Sequence, residues 1–88
     1  MTQRIILITG GSEGMGLAAA ERFHAMGDQV VITGRSHEKM NKVSSRHSGI
    51  HTIVSDISCP DDRVRLFADI REHFGHIDVF FANAGLGL

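Results

Sequence analysis

Apolar residues follow two alternating rhythms along the chain. Ile5-Ile6-Leu7-Ile8 is an unbroken, β-branched-rich run between Arg4 and Thr9, closed by Gly10 and Gly11. Such a run suits a strand covered on both faces of a parallel sheet, predicted over residues 4–9. The rhythm then changes. From residue 15 to 26, Leu17, Ala18, Ala20, Phe23 and Met26 recur near helical intervals, with Gly27 after them as a cap. This predicts a helix with a small-residue face.

The alternation repeats twice more. Val30-Val31-Ile32 predicts a short buried strand over residues 29–33 that stops at Gly34-Arg35. Ser36 can cap a second helix running to about Arg46, whose main apolar residues, Met40 and Val43, mark it as an outer, poorly buried element. A third strand is predicted over residues 51–55. Ser58 and Asp61 then bracket Cys59-Pro60 in the manner of a capping box, opening a third helix to about Phe74. Its Val64, Phe67, Ile70 and Phe74 recur at steps of three and four and predict one stripe facing a sheet. Gly75 ends that helix, and residues 77–82 form a fourth strand leading into Asn83-Ala84-Gly85.

The order βαβαβαβ predicts an α/β fold with right-handed crossovers and a parallel sheet. It predicts a Rossmann-type doubly wound half with strand order 3-2-1-4, a single unit over residues 1–88. No internal repeat, linker or low-complexity tract interrupts it.

Composition narrows the partner. At 88 residues the unit is small, so a solitary monomer is expected to be marginally stable. Nine Lys and Arg against ten Asp and Glu give a net charge of -1, which supplies no basic field for nucleic acid or an anionic membrane. A small-molecule partner is expected. The first apolar run is too short for a signal core or a membrane span, which makes the cytoplasm the default location. Cys59 has no second cysteine to pair with, and the six histidines show no helical H-x-x-x-H pairing, so no metal site is expected.

The candidate chemistry begins in Thr9-Gly10-Gly11-Ser12-Glu13-Gly14-Met15-Gly16, between a predicted strand and a predicted helix. In such a turn Gly10 permits the change of direction, Gly14 admits a close approach of the backbone to a cofactor, and Gly16 lets the helix pack on the strand. The exposed amides and positive dipole end of the helix suit a pyrophosphate. Arg35, at the end of the second strand, bears on the cofactor subtype. An acid there would take the ribose hydroxyls of NAD, whereas an arginine can grip a 2′-phosphate with two parallel bonds. Glu13 argues the other way. With no acid in Thr33-Gly34-Arg35-Ser36, NADP(H) is favoured over NAD.

The spacing of Thr9, Gly10, Gly14 and Gly16 resembles the T-G-x-x-x-G-x-G motif of the classical short-chain dehydrogenase/reductase family. Two further matches extend the resemblance over essentially the whole chain. Asp56 falls where that family places an aspartate that bonds the adenine amino group, with the backbone of Ile57 beside it. Asn83-Ala84-Gly85 resembles the family's N-N-A-G segment, although Ala82 stands where its first asparagine usually lies. The resemblance implies that Gly10, Ser12, Glu13, Gly14, Met15, Gly16, Arg35, Ser36, Asp56, Ile57, Asn83, Ala84 and Gly85 hold the cofactor. It also implies an oxidoreductase that moves hydride between a nicotinamide cofactor and an alcohol or carbonyl substrate.

The family's acid/base tyrosine, with a lysine four residues later, has no counterpart here, because the chain contains no tyrosine. No residue is assigned a catalytic role, and the 88 residues alone are expected to be inactive. The substrate would be met by a C-terminal half not contained in them. A stand-alone nucleotide-binding or sensing module and an inactive truncation product are the other readings. The open edge of the fourth strand, with Asp78 as its one blunting charge, leads us to expect self-association.

Overall fold

Every predicted strand and helix forms, in the predicted order. The computed structural model describes residues 3–12 and 14–83. Its elements are β1 (Ile5–Thr9), α1 (Gly14–Ala25), β2 (Gln29–Gly34), α2 (His37–Arg46), β3 (His51–Val54), α3 (Pro60–Phe74) and β4 (Val79–Ala82). The four strands make one parallel sheet in the order β3-β2-β1-β4. β1 is central: Ile6 pairs with Val30 of β2 on one side and with Val79 of β4 on the other.

The buried runs produce this arrangement because each face of β1 and β2 meets its own apolar layer. Ile6, Ile8, Val30 and Ile32 point to one side, where Ala20 of α1 and Met40 and Val43 of α2 cover them. Leu7 and Val31 point to the other, against Leu66 and Ile70 of α3. Each such aliphatic side chain taken fully out of water contributes about 1.5–3 kcal/mol, so the two layers together hold the sheet between its helices. α2 is the outer element expected, with every residue except Met40 and Val43 exposed.

Three expectations about faces and caps are corrected. On α3 the stripe against the sheet is Leu66, Ile70 and the partly buried Phe74, spaced four apart, whereas Val64 (69% exposed) and Phe67 (40% exposed) lie on the outer face. Steps of three and four admitted two neighbouring stripes, and the anticipated set mixed them. On α1, Ala18 and Met26 are exposed, and the inner face is Gly16 and Ala20 flanked by Leu17 and Phe23. The anticipated capping box does not form either. Cys59 is the N-cap and makes no side-chain cap bond, Pro60 follows it, and the Ser58 side chain is drawn back to Asp56. With no N–H on Pro60, one of the usual orphan donors is missing, and Asp61 and Asp62 place negative charge at the positive end of the helix.

The end of the sheet opposite the glycine-rich turn is fastened by two carboxylates. Asp28, almost wholly buried, receives both Nε (3.0 Å) and Nη2 (2.7 Å) of Arg4. Asp78 accepts the Ile5 amide at 2.7 Å and His76 at 3.0 Å. Its carboxylate therefore turns towards β1, which corrects the expectation that it blunts the outer edge of β4.

Candidate nucleotide-binding groove

The four strands point their C-terminal ends the same way, and the loops leaving them enclose a groove of about 520 Å³. In a parallel sheet this is where the chain order reverses and where ligands are received. The turn after β1 forms its floor. Gly10 and Gly14 have φ of 71° and 62°, a region in which only glycine is free of steric cost. The Gly10 and Gly11 amides both donate to the Thr33 carbonyl, at 2.9 and 3.1 Å, which ties the turn to the end of β2.

Gly16 has the packing role expected of it. A Cβ there would lie 2.4 Å from the Gly10 carbonyl oxygen and 2.9 Å from Asn83 Nδ2. Gly14 is different, since among the described residues nothing beyond its chain neighbours and its own helix backbone lies within 4 Å of the place a Cβ would take. The space beside it is open to a ligand. Gly14 and Met15 stand exposed at the start of α1, outside the groove lining.

The other predicted residues converge from the ends of all four strands: Ser12 after β1, Arg35 and Ser36 after β2, Asp56 and Ile57 after β3, and Asn83 after β4. Ser36 caps α2 by accepting the Lys39 amide at 3.2 Å, a role that leaves its own O–H as a donor. Glu13, Ala84 and Gly85 lie outside the described residues.

The Asp56 corner of the groove is held by its own turn. Its Oδ1 accepts the Ser58 hydroxyl at 2.6 Å and the Ser58 amide at 3.0 Å. These bonds, the hydroxyl's first, hold the Asp56 carboxyl below the usual carboxylate range, and the charge of Arg35 acts in the same direction. Arg35 lines the same groove as Asp56 and is exposed.

The sequence assigns no site role to five lining residues: Thr33, Gly34, Lys39, Ser55 and Ser58. Lys39 could have been found from its place three residues after the Ser36 cap, on the first turn of α2. Ser58 could have been found from the D-x-S spacing of an Asx turn. Ser55 is buried, and its hydroxyl has no hydrogen-bond partner among the described residues; nothing in the sequence marked it.

A second hollow of about 680 Å³ runs along the outer face of α3, lined largely by carbon of Pro60, Val64, Phe67 and Ala68. No strand end reaches it. Among the described residues no three His, Cys, Asp or Glu side chains gather as a metal site, and no helix is long and apolar enough to cross a membrane.

Comparison with known proteins agrees with this geometry. An oxidoreductase of Staphylococcus haemolyticus is 35% identical over 85 residues, covering 94% of this chain and 37% of its own length. The crystal structure of a short chain dehydrogenase from Bacillus anthracis superposes with a TM-score of 0.86 at 39% identity, over 92% of this chain and 34% of that one. Actinorhodin polyketide ketoreductase, crystallised with NADPH, superposes with a TM-score of 0.87 at 28% identity, over 94% of this chain and 33% of that one. The chain therefore spans about a third of the length of the relatives it matches. The family model described as short chain dehydrogenase matches residues 4–88, and with the Rossmann-like sheet order and glycine-rich turn in place, the chain belongs to the short-chain dehydrogenase family.

Proposed function

We propose that the chain is the cofactor-binding portion of an NADP(H)-dependent oxidoreductase acting on an alcohol or carbonyl substrate. The observation that carries the subtype is Arg35 at the groove rim, on a corner of residues 33–36 that holds no acid. A guanidinium there can meet a 2′-phosphate with two parallel bonds, with the Ser36 hydroxyl as a further donor. The turn beside the groove suits a pyrophosphate because its left-handed glycines, and the exposed Gly14 and Met15 at the start of α1, allow backbone amides to approach one.

In this reading Gly10, Ser12, Glu13, Gly14, Met15 and Gly16 supply the turn and the start of α1 that hold the pyrophosphate. Asp56 and the Ile57 backbone hold the adenine. Asn83, Ala84 and Gly85 belong to the site through their likeness to the family's N-N-A-G segment. When bound, the nicotinamide ring supplies or accepts the hydride. The chain's own residues bind and orient it, and none of them moves a proton on the substrate.

Titrating NADPH and NADH against the wild type and Arg35→Asp tests the assignment. A charge-assisted contact to the 2′-phosphate should make NADPH the tighter ligand by on the order of tenfold, and the variant should lose that preference. Equal affinities in the wild type, or an unchanged ratio in the variant, refute it.

A further inference from the structure

The segment that carries Asp56 is pinned at three points by α3 and by its own turn. Asp62 Oδ2 accepts the Asp56 amide at 2.8 Å, while the other Asp62 oxygen is engaged by Arg65 Nη2. Arg63 Nη1 donates to the Ile57 carbonyl at 2.7 Å. Ser58 closes on Asp56 Oδ1 with both its amide and its hydroxyl. Among the described residues Asp56 Oδ2 receives no hydrogen bond, and Asp56 lines the groove.

These bonds do more than start a helix. A carboxylate on an unrestrained loop samples several rotamers and loses that freedom on meeting a ligand; one already clamped at its amide and at one oxygen does not. The clamp occupies Oδ1 and leaves Oδ2 as the oxygen without a hydrogen bond among the described residues. Helix capping explains none of this, because the N-cap of α3 is Cys59 and uses no side chain.

We propose that Asp62 and Ser58 are positioning residues for the base end of the groove: Asp62 through the Asp56 amide and Ser58 through the Asp56 carboxylate hold Oδ2 as the acceptor for an adenine amino group. This rests on the reading of the groove as a dinucleotide site. Neither residue need touch the ligand.

The test compares two dinucleotides that differ only in the base, NADPH and its hypoxanthine counterpart, which has a carbonyl where adenine carries its amino group. Their affinities for the 88-residue chain are measured by titration. The wild type should favour adenine, and Asp62→Ala and Ser58→Ala should each reduce that preference by about two- to tenfold, the range of one hydrogen bond. Asp62→Asn keeps an oxygen that can accept the Asp56 amide, and Ser58→Thr keeps the hydroxyl, so both should retain it. A purely structural role would weaken both dinucleotides alike. An unchanged adenine-to-hypoxanthine ratio in both alanine variants therefore overturns this inference and leaves the groove's reading standing. Failure of the wild type to bind either dinucleotide removes both. Should Asp62→Ala fail to fold, Ser58→Ala, at an exposed position outside α3, carries the comparison alone.

Discussion

Asn83 Nδ2 donates to the Gly10 carbonyl at 3.1 Å, joining the end of β4 to the glycine-rich turn after β1 across 73 residues of sequence. Gly16 sits against both partners, with no room for a Cβ. The first turn of α1, the end of β1 and the end of β4 are thereby locked as one unit. The shape of the groove floor therefore depends on the Asn83 side chain.

Gly16→Ala is accordingly expected to be severe. The added methyl would meet backbone oxygen at 2.4 Å, which has no flexible end to swing aside, and overpacking of this kind costs about 1–3 kcal/mol. Asn83→Ala should cost less, about 1 kcal/mol for one hydrogen bond. Urea denaturation of the two variants beside the wild type measures both, and the order reverses if the turn can shift to take up the methyl.

Acid should weaken the fold in a particular way. Arg4, through its hydrogen bonds first and its charge second, holds Asp28 below the ordinary carboxylate value against the opposing effect of burial. A carboxyl depressed in the folded state contributes stability that is fully present above its unfolded value of about 3.9 and is lost as pH falls through the folded value. The urea midpoint should therefore be flat at neutral pH and decline below about pH 4. Asp28→Asn should lower the midpoint at neutral pH and make the acid decline shallower. Some decline should remain, because Asp78, held down by the Ile5 amide, and Asp56, held down by Ser58, titrate in the same direction. An identical acid profile in Asp28→Asn would assign the decline to other groups.

How far the sequence could be read varied with how many neighbours an element has. Ile5 to Ile8 announced a central strand because both faces of β1 are buried and every side chain had to be apolar. The outer face of α3 misled because Val64 and Phe67 are as apolar as the Leu66 and Ile70 that meet the sheet, and spacing alone does not say which stripe is covered. The start of α3 was misread for a different reason. Ser58 had two partners within reach, the helix amides ahead and the Asp56 carboxylate behind, and the charged acceptor won. Of the groove, the glycines, Arg35 and Asp56 stood out as motif positions, whereas Lys39, Ser55 and Ser58 reach it through the way α2 and the β3–α3 loop happen to pack.

The 88-residue polypeptide should show no carbonyl reduction even when saturated with NADPH. It contains no tyrosine to act as the family's acid/base. Following NADPH absorbance with a panel of ketones and aldehydes checks this, and turnover by pure material would overturn it. Affinity for NADPH should fall as salt rises, more steeply than affinity for NADH, since the Arg35 contact is exposed to screening.

The last expectation concerns the side of β4 that faces away from β1. In the described sheet β4 pairs with β1 alone, so its other edge presents unpaired backbone donors and acceptors. Apolar surface surrounds that edge. Phe80 is 50% exposed and meets Phe67 edge-on at 6.3 Å, and Val64 extends the patch along α3. Asp78, the nearest acid in sequence, is bonded to the Ile5 amide of β1 and to His76. An open strand edge beside exposed aromatic and aliphatic side chains favours pairing with another chain. The 88-residue polypeptide should therefore self-associate at tens of micromolar, as read by size-exclusion chromatography with light scattering. The amides of Val79, Phe80 and Phe81 should be protected from hydrogen exchange in the associated form. Phe80→Lys places a charge on the patch without touching the buried layers, and should shift the population towards monomer. A wild-type monomer at that concentration, or a variant that associates as strongly as the wild type, would show that this edge is not the contact.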